Sequence, residues 1–131
     1  MLQTLLKFSP ALLLWLPQSL LAAEKIDPKT LDGSIYTSFG SLYFKVPGWP
    51  ISFGDKKKAR KMLIKATTMN PTGIDPNYFY AEFLYEEDEY QLAKKYIEIA
   101  AKAPSRKSRP IADAGRRAEI KILLKKIKLE L

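Results

Sequence analysis

The sequence contains neither cysteine nor histidine, and these two absences remove most kinds of catalytic site. Without cysteine there is no disulfide, no thiolate nucleophile and no iron–sulfur or zinc–thiolate site. Without histidine there is no Ser–His–Asp triad, and no side chain has an unperturbed pKa near neutral pH. The six glycines stand singly, so no glycine-rich loop could hold a phosphate. We therefore expect a non-catalytic protein that needs no cofactor or metal ion.

Apolar residues, by contrast, are plentiful enough for one ordinary domain, since they make up 47% of 131 residues. Residues 1–23 are typical of a secretory signal peptide, because a single lysine precedes a largely apolar run that ends in two alanines. We predict cleavage before Glu24 and an exported, periplasmic protein. The alternative is a retained membrane anchor, although the run is shorter than the roughly 20 residues of a spanning helix and contains Pro10 and Pro17.

Two stretches of the remaining chain repeat a pattern at a spacing of 34 residues. The matching pairs are Ala59 and Ala93, Leu63 and Ile97, and Ala66 and Ala100, and a proline follows each set. Small residues on one helix face let a neighbouring helix approach closely, and proline ends a helix because its ring interrupts the hydrogen-bond ladder. This is the pattern of a tetratricopeptide repeat. We predict an all-α fold of antiparallel helix pairs at 32–71 and 74–107, within a repeat region of 24–109.

The second unit predicts two complete helices. We expect Asp75 to be the N-cap of the first helix and Pro76 to take its first helical position, with the helix running to about Glu87. The second helix covers about 89–102. Its inward residues are predicted to be Ala93, Ile97, Ala100 and Ala101.

The first unit predicts a shorter first helix, over about 32–44, with an apolar set of Ile35, Phe39, Leu42 and Tyr43. Two prolines and a glycine then break the helix, and Asp55 caps a second helix over about 56–69. We expect 45–54 to be an ordered loop, because Trp49 and Phe53 are apolar. These two residues either contact a partner or close the open end of the stack.

The last segment, 110–131, predicts a basic amphipathic helix that caps the repeats. Its apolar stripe is Ile120, Leu123, Leu124, Ile127 and Leu131. Projected back at 100° per residue, the stripe meets Asp113 and Arg116. Either the helix bends near Ala118, or Asp113 and Arg116 or Arg117 make a partly buried ionic contact.

Positive charge is concentrated in the same segment, since residues 102–131 contain ten basic and three acidic residues. Lys121, Lys125 and Lys128 form a basic flank of the predicted helix. This flank either contacts anionic lipid headgroups or only keeps a capping helix soluble. We expect no nucleic-acid partner, because the aromatic residues that single-strand binders place between their basic ones are absent here.

A candidate partner-binding groove follows from the repeat pattern, because the first helix of each tetratricopeptide pair lines the inner surface of the stack. In the second unit the residues at one-turn spacing are Asp75, Tyr78, Glu82, Tyr85 and Glu86. Two tyrosines and three acids suit a peptide or protein segment of basic and apolar character. The alternative is ordinary helix surface, with the tyrosines packed against the Trp49 loop. The neighbouring acids at 87–89 do not have the spacing of a calcium loop.

The run Tyr43–Asp55, continued by Gly73–Leu84, carries a family resemblance when it is taken together with the 34-residue period. Over residues 32–124 the chain resembles small exported bacterial tetratricopeptide-repeat proteins of mostly unassigned function. More distantly, it is similar to the periplasmic tetratricopeptide component associated with TRAP transporters and to the regulator-of-microtubule-dynamics proteins.

The resemblance implies a non-catalytic scaffold or accessory subunit that binds a protein partner in an envelope complex. The alternative is a periplasmic solute- or ion-binding accessory of a transporter. Two repeats are few, because three or more are usually needed to bury a continuous core. Self-association and a peripheral membrane contact therefore also stay open.

N-terminal sequencing of the protein from its native host tests the export prediction. Because signal peptidase cuts after small residues, we expect the mature chain to begin at about Glu24. Recovery of intact Met1 in the membrane fraction would show that the segment is an anchor.

Overall fold

The structure, a computed structural model, describes residues 33–48 and 54–131 and contains five helices there. The helices are α1 (Ser34–Lys45), α2 (Lys56–Met69), α3 (Ile74–Glu86), α4 (Tyr90–Ala101) and α5 (Pro110–Glu130). This part of the chain has no strand, only an isolated bridge between Gly48 and Gly54. The predicted all-α class is therefore confirmed. The predicted signal segment and the loop residues Trp49 and Phe53 lie outside the described residues.

The helices pack as two successive pairs and one further helix. The most extensive contacts join α1 to α2 and α3 to α4, while α3 also touches α1 and α2. Helix α5 packs mainly on α4 and less extensively on α3. One core runs through all five helices, and its largest fully buried apolar side chains include Phe39, Leu63, Phe83, Leu84, Ile97 and Ile127.

Helix α2 begins as its sequence predicts. The Asp55 carboxylate accepts hydrogen bonds from the backbone N–H groups of Lys57 and Lys58, at 3.0 and 3.1 Å. These groups have no partner within the helix, so the cap stabilises its first turn. The alanines and the leucine of the repeat pattern, Ala59, Leu63 and Ala66, are fully buried.

The inner face of α1 differs from the predicted one. Tyr36, Phe39, Gly40 and Tyr43 are buried, whereas the predicted Ile35 and Leu42 are only half-buried. The reason lies in the close approach of α2: a Cβ at position 40 would be 2.6 Å from Cγ of Leu63. Glycine and the aromatic residues one turn away therefore form the contact, and the aliphatic residues lie at its edge.

The start of α3 also corrects a prediction. The N-cap is Gly73, and Asp75 and Pro76 are the second and third residues of the helix. Pro76 is tolerated there because first-turn N–H groups lack intrahelical partners. The turn between α2 and α3 is held instead by the buried Asn77. Its side-chain amide donates to the carbonyl oxygens of Pro71 (3.0 Å) and Gly73 (2.8 Å).

A tight turn at 87–89 joins α3 to α4. Asp88 has a φ of 60°, in the left-handed region that aspartate tolerates better than most residues. The Glu89 N–H donates to the Leu84 carbonyl at 2.9 Å and closes the turn. In α4, Ala93, Ile97 and Ala100 are buried as predicted. Ala101 is exposed rather than inward, because the helix ends there.

Helix α5 begins at Pro110, as predicted, and runs as one helix to Glu130. Ile120, Leu123 and Ile127 are buried and Leu124 is half-buried. Leu131, predicted to continue the stripe, lies beyond the helix and is 52% exposed. At the other end Asp113 is buried, but its ionic partner is Arg106, which precedes the helix, rather than the predicted Arg116 or Arg117.

Two glycine-to-alanine substitutions test the close approach of α1 and α2. Gly40→Ala should destabilise the protein by about 1–3 kcal/mol, because its methyl group would overlap Leu63. The matched control is Gly115→Ala in α5, where the added Cβ meets nothing within 4 Å. It should stabilise the protein by about 1 kcal/mol through helix propensity alone. Urea unfolding followed by circular dichroism measures both, and an equal gain in both variants would contradict the packing described.

Candidate functional site

Four of the five predicted groove residues lie together, in an open groove between α3 and α5. Tyr78, Glu82, Tyr85 and Glu86 line its α3 side. The α5 side is formed by Glu119, Ile122, Leu123 and Lys126, and the volume is about 180 Å³. The sequence pattern placed the α3 residues on one face correctly. It did not indicate that α5 would be the opposite wall.

The exposure of these residues divides them into two kinds. Tyr78 is buried, at 7% exposure, and its hydroxyl donates to the Glu82 carboxylate at 3.0 Å. The other Glu82 oxygen lies 2.8 Å from Nζ of Lys45 on α1. Tyr85 is half-buried and Glu86 is exposed. Tyr85 and Glu86 are therefore the α3 side chains that a partner could reach, while Tyr78 and Glu82 hold the wall in place.

Burial, reinforced by the negative charge and hydrogen bond of Glu82, raises the pKa of Tyr78 well above its ordinary value. The phenol thus stays protonated and remains a hydrogen-bond donor. The Arg116 guanidinium lies over two aromatic rings of α3. Its carbon is 4.9 Å from the centroid of the Tyr78 ring and 4.5 Å from that of the Phe79 ring. This cation–π contact joins the groove wall to α5.

A second depression, of about 340 Å³, adjoins the groove and shares Glu82 and Glu86 with it. Its other lining residues come from the end of α1, the start of α2 and the turn after α3: Phe44, Lys45, Lys56 and Glu87. Glu86 stands where the two depressions meet.

Asp75, the fifth predicted groove residue, does not line the groove, because its carboxylate is bound by two arginines. Its two carboxylate oxygens accept hydrogen bonds from Arg106 at 3.0 Å and from Arg116 at 2.8 Å. Arg106 also binds Asp113 through its Nε, at 2.6 Å, and its backbone N–H donates to the other Asp113 oxygen at the same distance. This cluster of two arginines and two aspartates joins α3, the 102–109 connector and α5. Sequence analysis missed Arg106, because a loop arginine carries no periodic signal.

The acidic residues of the turn after α3 are also ion-paired within the protein. Lys56 lies 3.1 Å from Glu87, and the Arg60 guanidinium pairs with Glu89 through two nitrogens. With Lys45–Glu82, these pairs connect α1 and α2 to α3 and the turn that follows it. Within the described residues, no group of three or more acidic, histidine or cysteine side chains could hold a metal ion.

The predicted basic flank lies on the outside of α5, where Lys121, Lys125 and Lys128 are all exposed. No helix among residues 33–48 and 54–131 is long and apolar enough to cross a membrane. The predicted contact residues Trp49 and Phe53 fall outside the described part of the chain. Comparison with protein-family models, with curated proteins and with solved structures finds no match for this sequence.

The pH dependence of unfolding tests the aspartate–arginine cluster. The backbone N–H of Arg106, together with its guanidinium, lowers the pKa of Asp113 below the ordinary value of 3.8. A carboxylate with a lowered native pKa stabilises the fold at pH values above its unfolded pKa, and this contribution is lost as the pH falls through the native value. Asp113→Asn should therefore be less stable than the wild type at neutral pH, and the gap should close below pH 3.8.

Urea unfolding of both proteins at a series of pH values measures this gap. Glu98→Gln on α4 is the control for removing a carboxylate outside the cluster. A constant difference between wild type and Asp113→Asn down to the acid limit would contradict an ionised Asp113.

Proposed function

We propose that the chain is a non-catalytic tetratricopeptide-like module that binds a segment of a partner protein in the bacterial periplasm or cell envelope. The observation behind this proposal is the groove between α3 and α5. It forms because the helices contact one another in an order that places α5 beside α3. In a tetratricopeptide stack, the first helix of each pair contacts its own partner helix and the first helix of the next pair. The contacts of α1 with α2 and α3, and of α3 with α4 and α5, follow that order.

The register of buried residues supports the same assignment. Tyr36, Phe39, Gly40 and Tyr43 on α1 have the spacing of Asn77, Tyr80, Ala81 and Leu84 on α3, and all eight are buried. The offset is 41 residues rather than 34, because the loop between α1 and α2 is longer than the turn between α3 and α4. Helix α5 takes the place of the first helix of a third repeat, and so it forms the second wall of the groove.

The open shape of the groove favours a polypeptide partner over a small solute. Sites for small molecules usually enclose the ligand and bury most of its surface. The groove, of about 180 Å³, is open to solvent and shares Glu82 and Glu86 with the second depression. Such a surface suits an extended segment that inserts one side chain at a time.

The chemistry of the accessible lining indicates the character of that segment. The Tyr85 ring offers apolar contact and Glu86 offers negative charge, whereas Glu119 is paired with Arg116. Aromatic side chains contribute large contact areas at small entropic loss, and exposed acids mainly steer association. We propose a segment with an apolar side chain next to a basic one. The location in the envelope rests on the export signal predicted for residues 1–23.

Substitutions at the accessible residues test the groove. Tyr85→Ala should weaken binding by about 2 kcal/mol, roughly 30-fold, if the ring is a hot spot. Tyr85→Phe is the matched control and should bind nearly as well, because it keeps the ring. The partner is first captured from native envelope with the wild-type chain, and affinities are then measured by titration calorimetry with the purified partner. Tyr78→Ala is avoided, because Tyr78 is buried and its loss would disturb the fold.

Charge reversal gives a second, independent readout. Glu86→Lys should slow association, and the effect should fade at high salt, because screening shortens the reach of exposed charges. Glu98→Lys on α4 makes the same change of charge outside the groove and should leave the rate nearly unchanged. Full-strength binding by folded Tyr85→Ala and Glu86→Lys variants would show that the groove is not the binding surface.

A further inference from the structure

Helix α5 has a second apolar stripe, on the side that faces away from the core. Ile111 is 88% exposed, Ile122 is 58% exposed and Leu129 is 79% exposed. At 100° per residue, these three side chains and the exposed Ala118 project within about 40° of one another, opposite the buried Ile120 and Ile127. The stripe runs for about 27 Å along the helix, at 1.5 Å per residue.

One border of this stripe carries only basic side chains. Lys121, Lys125 and Lys128 are exposed and lie along one side of it. None of the three lies within ion-pair distance of an acidic side chain in the described part of the chain. The other border carries Glu119, which is paired with Arg116, together with Glu130 and Lys126. The outward face is therefore apolar along its centre and purely basic along one border.

We infer that this outward face of α5 binds an anionic lipid surface, with the helix lying in the plane of the headgroups. Interfacial helices combine exposed aliphatic residues with lysines on their border, where the lysine stems reach toward lipid phosphates. The protruding side chains form a ridge rather than a cleft, and a bilayer surface accepts a ridge without a matching groove.

The composition of the face argues against the other occupants. An antiparallel second copy would bring the same lysines against each other, and like charges at close range are repulsive. Protein interfaces are enriched in aromatic residues and arginine and depleted in lysine. The outward face has three lysines and no aromatic side chain.

The absence of cysteine allows a test that reports on α5 alone, independently of the apolar N-terminal segment. The substitution Ala118→Cys introduces a single cysteine on the outward face. In the full-length chain this cysteine is labelled with an environment-sensitive dye such as NBD. The control is Gln91→Cys on α4, which is also exposed. Both are titrated with vesicles of phosphatidylcholine and phosphatidylglycerol, and with vesicles of phosphatidylcholine alone.

We expect the dye at position 118, but not at position 91, to brighten and shift to the blue with the anionic vesicles only. Neutralising Lys121, Lys125 and Lys128 to glutamine should weaken this response about 100-fold, since each lysine near an anionic surface contributes about fivefold. The matched control neutralises Lys57, Lys61 and Lys107, three exposed lysines on α2 and the connector, and should weaken it far less. Ile122→Ser with Leu129→Ser should remove the blue shift.

Three outcomes would overturn the inference. One is a silent dye at position 118 in a folded chain on anionic vesicles. Another is that the two sets of lysine substitutions weaken vesicle binding equally. Binding would then depend on the net charge of the protein and not on the face of α5. The last is a blue shift at position 118 that grows with protein concentration in the absence of vesicles, because it would identify a second copy as the occupant. Circular dichroism of each variant confirms that the helices are retained.

Discussion

Close approach of paired helices is the constraint on which the rest of the structure depends. Helices can pack closely only where their facing residues are small, and here those residues are Gly40, Ala59, Ala66, Ala81, Ala93 and Ala100, all buried. Bulky side chains one turn away, such as Leu63 and Ile97, fill the space between the axes. Since packing of this kind fixes the distance between neighbouring helices, it also sets where α3 and α5 stand and how wide the groove between them is.

Ion pairs then decide which charged side chains remain available for a partner. Glu82, Glu87 and Glu89 are paired with cations from α1 and α2, and Asp75 and Asp113 are held by arginines. Exposed pairs of this kind contribute little stability individually. They matter more for the proposed partner binding, because they leave Glu86 as the accessible acid at the junction of the two depressions. The dense acidic stretch 82–89 thus acts mainly as a set of internal connections.

Helix α5 combines three roles because it has different chemistry on different sides. One side completes the core through Ile120 and Ile127, and an adjacent side forms the second wall of the groove through Glu119 and Leu123. The outward side carries exposed aliphatic residues and lysines. The outward side has no helical neighbour among residues 33–48 and 54–131, so its side chains are accessible. If both proposals hold, the module would bring a bound segment close to an anionic membrane.

The sequence by itself determined the helical class, the positions of all five helix starts to within two residues, and the small residues of α2 and α4, because periodicity and capping are local. It also placed Tyr78, Glu82 and Tyr85 on one face of α3. Only the tertiary structure decided which of these are accessible: Tyr78 is buried against Arg116, and Asp75 is drawn away by Arg106 and Arg116. These contacts join residues 31 and 41 positions apart. No local pattern encodes such pairs, because they depend on how the connector and α5 fold back over α3.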